Sequence, residues 1–322
     1  MRISRRSAID VALLVLVNAM WAVQYPGYKV AGEVLQPITL SGWTFLLAAL
    51  VLLPFLLHER LREHKHGDPG ILQRPASSGK PRLLEKRNVV GFLMIGILGL
   101  MPASVFLAWG INRSSASNAA LIYLTVPIIT ALLASVILDE KMTLVRWISL
   151  IIALAGVLIL SDFDWRHLEL TSNRYLIGNI LVLLACATSA FYNVYCKELL
   201  RRFTPLEVLI YGYLLAVVLC LPLSIWLEAY SPASITHYHL ATWIALLALS
   251  GLSWGLAMVL WLFLLKRLDV SQASVSVYLL PFLGVLVSAV AVHESITGRM
   301  LIGGLVTLTG TVLVTTTEPT AS

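Results

Sequence analysis

Long apolar stretches alternate with short polar connections along almost the whole chain. A hydrocarbon core about 30 Å thick is crossed by about 20 helical residues. Ten stretches approach that length: 9–31, 38–57, 88–109, 117–138, 144–161, 175–196, 207–227, 241–265, 271–292 and 299–317. Their apolar residues do not alternate strictly with polar ones, as barrel strands require, and 128–138 is a clear case. The pattern predicts an all-α integral membrane protein with ten transmembrane helices. The first stretch follows Arg2, Arg5 and Arg6, as a cleavable leader would. It has no small-residue cleavage site and continues through Tyr25, Pro26 and Gly27, so it reads as the first transmembrane helix.

Composition supports the pattern. Of 322 residues, 58% are hydrophobic and 12% charged, against about 25% charged in an average soluble domain. A disordered chain, a collagen-like fibre, a disulfide scaffold and an ordinary cytosolic enzyme are excluded. Cys186, Cys196 and Cys220 fall inside apolar runs, against a disulfide framework or a zinc site. The net charge of +6 is unevenly spread. With the N-terminus in the cytoplasm, 18 Lys and Arg fall on that side and 5 on the other: Lys29, Arg113, Arg166, Arg174 and Arg299. The positive-inside rule then places both termini in the cytoplasm, and the expected location is a bacterial inner (plasma) membrane. The 58–88 segment, rich in Pro, Gly, His and Arg, reads as a cytoplasmic linker whose charge can touch anionic lipid heads.

The two halves align on each other. At an offset of 168, Ala22, Lys29, Pro37 and Pro54 meet Ala190, Lys197, Pro205 and Pro222. At an offset of 154, Arg113, Pro127, Glu140, Thr143 and Gly156 meet Arg267, Pro281, Glu294, Thr297 and Gly310. Such an ordered series of matches implies a duplication, with a first unit at 1–161 and a second at 172–317. Each has five predicted spans, an odd number, so the second copy enters the bilayer from the opposite side. The expected fold is two inverted five-helix repeats around a central cavity, an architecture of secondary transporters.

Residues 21–29 read Trp-Ala-Val-Gln-Tyr-Pro-Gly-Tyr-Lys. Each half then carries a small polar stretch, a proline, an acid and a glycine in order. These are Ser117 to Ala120, Pro127, Glu140 and Gly156 in the first half, and Ser271 to Ser274, Pro281, Glu294 and Gly310 in the second. Together these motifs resemble the EamA branch of the drug/metabolite transporter superfamily over nearly the whole chain. Ala22 stands where the family has glycine, Gln24 where it has asparagine, and Ser189 where the second half has tryptophan. The resemblance implies that spans one to four and six to nine line a cavity, with five and ten outside. It also implies traffic in small metabolites, often amino acids or related compounds, with export the expected direction.

Polar groups inside hydrocarbon are costly unless partnered. The candidates are Asn18, Gln24, Tyr25, Tyr123, Tyr192, Asn193, Tyr211 and Tyr278. Gln24 and Tyr192 are related by the offset of 168 and are expected to hydrogen-bond substrate across the repeat axis, or else to brace neighbouring helices. Asn18 and Asn193 carry the same two readings. Trp21, Trp254 and Trp261 fit an apolar wall for a ligand or lipid-facing packing; Trp43 is a further aromatic candidate, and Trp109 fits an interfacial belt. Pro127, Pro281 and Pro26 lack an N–H, and broken membrane helices point to a transport site or hinge.

Glu140 and Glu294 are expected to cap the next helix, and Lys29 and Lys197 to snorkel at helix ends. No span shows a central Asp, Glu, Lys or Arg, so no proton-coupling residue is apparent. Facilitated diffusion stays open. His58, His64, His66, His237 and His239 have no metal-site spacing, and no cofactor or nucleic acid is expected. The expected partners are a small-molecule substrate, membrane lipids and a second copy of the chain. A membrane-embedded enzyme such as a lipid-group transferase is the alternative, but its acids would have to cluster, and the 17 here are scattered. A sensory or accessory membrane protein needs no two-sided access.

Overall fold

The computed structural model describes residues 5–66, 83, 85–114, 116–160, 170, 174–292 and 297–317. Every regular element among the described residues is helical. Among the described residues, eight helical runs are long and apolar enough to cross a bilayer: Arg5–Gly32, Pro37–Arg62, Lys86–Ile111, Asn118–Ile137, Leu176–Leu200, Pro205–Leu227, Leu240–Leu265 and Gly298–Thr317. Two shorter apolar helices, Leu144–Leu160 and Val270–Gly284, occupy the fifth and ninth predicted stretches. The chain is an all-helical, multi-pass integral membrane protein. Most of the 58–88 linker, Ser115 and Glu294 lie outside the described residues.

Five of these runs are interrupted, and proline or glycine accompanies each interruption. The first run is α1 (Arg5–Ala22) and α2 (Gln24–Gly32), parted where Pro26 offers no N–H to the Ala22 carbonyl. α3 (Pro37–His66) carries Pro54 without a break. Between α4 (Lys86–Leu93) and α5 (Met101–Ile111) runs a π-helical stretch, Met94–Leu100, holding Gly96 and Gly99. α6 (Ala116–Tyr123) and α7 (Val126–Ile137) are separated by a turn just before Pro127. α8 (Leu144–Leu160), α9 (Leu176–Leu200) and α10 (Pro205–Leu227) follow unbroken.

The pattern then returns. α11 (Leu240–Ala248) and α12 (Met258–Leu265) flank a second π-helical stretch, Leu249–Ala257, which holds Gly251 and Gly255. α13 (Val270–Val275) and α14 (Leu279–Val292) flank a single 3-10 turn, Ser276–Tyr278, ahead of Pro281. α15 (Gly298–Thr317) closes the described chain. Freed backbone groups in a membrane interior must find internal partners. The Tyr278 hydroxyl donates to the Leu124 carbonyl at 2.8 Å, so a residue of the second break satisfies the first. Thr125 donates its hydroxyl to the Ile122 carbonyl at 2.7 Å.

α8 packs closely against α15, through small residues that let backbones meet. A Cβ on Gly156 would lie 2.5 Å from the Thr307 nitrogen and 2.7 Å from the Gly303 oxygen. A Cβ on Gly310 would lie 2.6 Å from the Ser149 oxygen and 2.9 Å from the Ala153 nitrogen. At the offset of 154, Ser149, Ala153 and Gly156 correspond to Gly303, Thr307 and Gly310. The two sets of contacts are therefore exchanged by that pairing, and the helices cross antiparallel. α3 packs on α10, with the Phe45 ring stacked on Tyr213 at 5.5 Å.

Candidate functional site

A cavity of about 500 Å³ lies among the interrupted helices, α3 and α9. Part of its wall falls into offset-related pairs. Trp21 with Ser189 and Gln24 with Tyr192 stand at 168, while Leu100 with Trp254, Ser104 with Met258, Tyr123 with Val277 and Val126 with Leu280 stand at 154. The π-helical stretches supply Leu100 and Trp254, and the helix breaks supply Tyr123, Val126 and Val277. Partners within each pair differ chemically, so the wall is aromatic and polar in an unequal way that can orient a ligand. Among the described residues, no acidic, basic or histidine side chain lines this cavity.

Trp21, Gln24 and Tyr28 lie along one stripe of the first span. Trp254 donates its indole N–H to the Tyr28 hydroxyl at 2.9 Å and accepts, on its carbonyl, the Tyr213 hydroxyl at 2.6 Å. The Trp21 ring packs on Trp261 at 5.1 Å. Trp261 is buried beneath the cavity and donates to Asn193 Oδ1 at 3.0 Å, while Asn193 Nδ2 donates to the Ser189 carbonyl at 3.1 Å. The Asn193 amide is thus engaged on both sides. We expect Asn193→Leu, which strips the partner from a buried indole N–H, to cost about 1–3 kcal/mol. A fall in the melting temperature of the purified protein checks this. The Gln24 amide has no hydrogen bond among the described residues and faces the cavity. The Tyr192 hydroxyl lies against the Cys196 thiol.

The structure separates the remaining candidates. Asn18 is fully buried away from the cavity, donating to the Leu14 carbonyl at 2.8 Å and the Ser276 hydroxyl at 3.1 Å. Tyr278 is buried at the helix breaks, and Tyr211 receives a hydrogen bond from Arg60. Trp43 packs edge-on against Trp243 and donates to the Tyr230 hydroxyl. The side chains of Tyr25, His64 and His66 lie outside the described residues. No group of three or more His, Cys, Asp or Glu among the described residues could hold a metal ion.

The cavity reaches one end of the bundle past Gly32, Ile111 and Asn112. There a wider vestibule of about 680 Å³ is lined by Gln36, Trp109, Asn112, Arg113 and Glu228. The Glu228 carboxylate accepts from the Ile38 and Thr39 N–H groups at 2.7 and 2.8 Å and from the Thr39 hydroxyl at 2.7 Å, anchoring the start of α3 to the end of α10. α10 contributes at this mouth and not to the inner cavity, while α8 and α15 contribute to neither.

Buried charges pair at the opposite end, and here several sequence expectations need correcting. Glu140 caps α13 of the other half and not α8, accepting from the Val270 N–H at 2.7 Å, the Ser271 N–H at 2.9 Å and the Ser271 hydroxyl at 2.6 Å. α8 has its own cap, with Thr143 Oγ1 accepting from the Arg146 N–H. Lys197 does not snorkel outward; it donates to the Leu268 carbonyl at 2.7 Å and lies 3.5 Å from Glu140 and 3.3 Å from Asp269. Arg146 is buried within α8 and pairs with Asp269 at 2.5 Å. Asp10, fully buried inside α1, lies 3.1 Å from Arg267. Glu207 pairs with Arg60 at 3.3 Å.

Folding thus brings Glu140 and Asp269, remote in sequence, to the same two bases, and each of these four acids stands beside a base, away from the cavity. Burial pushes the Lys266 ammonium in this layer below its ordinary value, with Glu59 and Glu207 opposing the shift. Sequence reasoning missed Asp10, Arg146 and Asp269 because their partners are remote in sequence. It also missed Tyr28 and Met258 as cavity residues, whereas Ser189, a departure from the family pattern, does line the cavity.

Comparison with known proteins agrees with this geometry. Residues 9–162 and 176–316 match the EamA-like transporter family. The chain is 26% identical, over 94% of its length and 91% of the relative's, to a protein of Streptantibioticus cattleyicolor named "Probable terminal-alkyne amino-acid exporter". It is 22% identical to the uncharacterized transporter YoaV of Bacillus subtilis, over 92% of this chain and 93% of that one. A solved crystal structure 18% identical in sequence superposes with a TM-score of 0.74, covering 95% of this chain and 98% of the other, a likeness of fold.

Proposed function

This chain belongs to the EamA-like transporter family, and we propose that it moves small metabolites, amino acids or related compounds among them, across a bacterial inner membrane by alternating access. The observation that carries the reading is the charge-free, aromatic and amide-lined cavity, open at one end of the bundle and shut by ion pairs at the other. Such a site buries a small ligand while presenting few polar groups to orient it. In this reading the ten apolar helices all cross the bilayer as two inverted five-helix units, 1–161 and 172–317. The exchanged contacts of α8 with α15 and the offset-related pairs in the cavity wall support it. With both termini cytoplasmic, the cavity faces outward, as in an exporter caught at release.

A zwitterion suits a cavity without fixed charge. Its carboxylate finds the α7 N-terminal end at Val126, its ammonium the ring faces of Trp21 and Trp254, and the Gln24 amide supplies a donor and an acceptor. The name of the Streptantibioticus relative supports an amino-acid substrate. The test is uptake and efflux of pooled amino acids in proteoliposomes, with and without a pH gradient. One lost hydrogen bond of about 1 kcal/mol predicts that Gln24→Ala and Tyr192→Phe each slow flux about fivefold with the protein still in the membrane. Wild-type flux in both variants would move the site elsewhere.

A further inference from the structure

The closed end holds a neutral set of two acids and two bases, which ties one half of the chain to the other. Glu140 precedes α8, Arg146 lies on it, Lys197 ends α9 and Asp269 precedes α13. Glu140 and Arg146 are each only 5% exposed, with Arg146 4.0 Å from Glu140 and 2.8 Å from the Ser271 hydroxyl. A buried ionic cluster contributes little net stability but makes separating any one member costly, so it specifies one arrangement. We infer that this cluster is a latch that holds the outward-facing arrangement and must separate for the cavity to open toward the end that carries the N-terminus.

Two further observations support the inference. Asn193 lines the cavity, and Lys197 stands one helical turn beyond it on the same face of α9, so the cluster lies directly on the blocked exit. Lys29 is the counterpart of Lys197 at the offset of 168. It stands near the end where the cavity is open, is exposed, and has no partner among the described residues.

Cys196 supplies the readout. It is fully buried, beside Lys197, and one turn beyond Tyr192 of the cavity wall. The full chain carrying Cys186→Ala and Cys220→Ala is placed in lipid nanodiscs, and Cys196 is labelled with N-ethylmaleimide. Glu140→Gln and Lys197→Met are expected to speed labelling about tenfold or more, a shift in the balance of about 1.4 kcal/mol. Glu198→Gln, which removes the more exposed pairs with Arg87 and Arg201 at the same end, is expected to leave the rate unchanged. Lys197→Met leaves the α13 cap in place, so it decides the matter if Glu140→Gln does not fold. Unchanged labelling in folded Lys197→Met, or an equal rise in Glu198→Gln, overturns the latch. The inference rests on the two-sided access proposed above, but its readout needs no substrate. A chain that labels as expected and moves no amino acid overturns the choice of substrate and leaves the latch standing.

Discussion

Gly156→Ala lowers the melting temperature of the purified protein, and Gly156→Leu prevents accumulation of folded protein in the membrane. A methyl group at this position meets the Thr307 backbone nitrogen at 2.5 Å and the Gly303 carbonyl oxygen at 2.7 Å. Backbone atoms cannot rotate away as a side-chain end can, so α8 and α15 must separate. Overpacking of this kind costs about 3 kcal/mol, while replacing a helical glycine with alanine returns about 1 kcal/mol of propensity. The clash wins by about 2 kcal/mol. Gly310→Ala meets the corresponding atoms of Ser149 and Ala153 and is expected to act alike. Gly32→Ala is the control, because nothing lies within 4 Å of its added carbon. Equal melting temperatures for all three variants would mean that the α8–α15 contact is looser than described.

Trp254→Ala is expected to abolish measurable transport while the chain still reaches the membrane. Its ring forms part of the cavity wall, meets Phe45 edge-on at 5.1 Å, and donates to Tyr28. Truncation of a large aromatic costs about 3–5 kcal/mol where packing cannot collapse. It also leaves the Tyr28 hydroxyl without its donor and widens the cavity, so a bound ligand loses both contact and orientation. Trp254→Phe separates the two effects. It keeps an aromatic face on the wall but loses the N–H and the second ring, so flux should fall by at least about fivefold, the value of one hydrogen bond. Side-by-side flux assays on both variants check the order wild type, phenylalanine, alanine; full activity in the alanine variant would remove Trp254 from the site.

The helical breaks were legible because proline and glycine act locally. Pro26, Pro127 and Pro281 each lack an N–H wherever they stand, and the interruptions lie a turn or less ahead of them. The two π-helical stretches were not legible. Gly96, Gly99, Gly251 and Gly255 permit such turns without requiring them, and the packing around Leu100 and Trp254 decides. Gln24 and Tyr192 could be singled out because a polar group in an apolar run is conspicuous, and both line the cavity. Asn18 and Asn193 were equally conspicuous, yet only tertiary neighbours distinguish an amide braced between helices from one facing open space.

The sequence by itself determined an all-helical chain built for a membrane, because span length and apolar content are local properties set by the thickness of the hydrocarbon. It also determined the ordered matches between halves, which need no coordinates to count. What only the tertiary structure decided was the partner of each charge. Glu140 lies 130 residues from Val270, and Thr39 lies 189 from Glu228. Electrostatic pairing depends on distance in space, which periodicity along the chain does not carry, so the ends of the bundle that are open and shut appear only once the helices are packed.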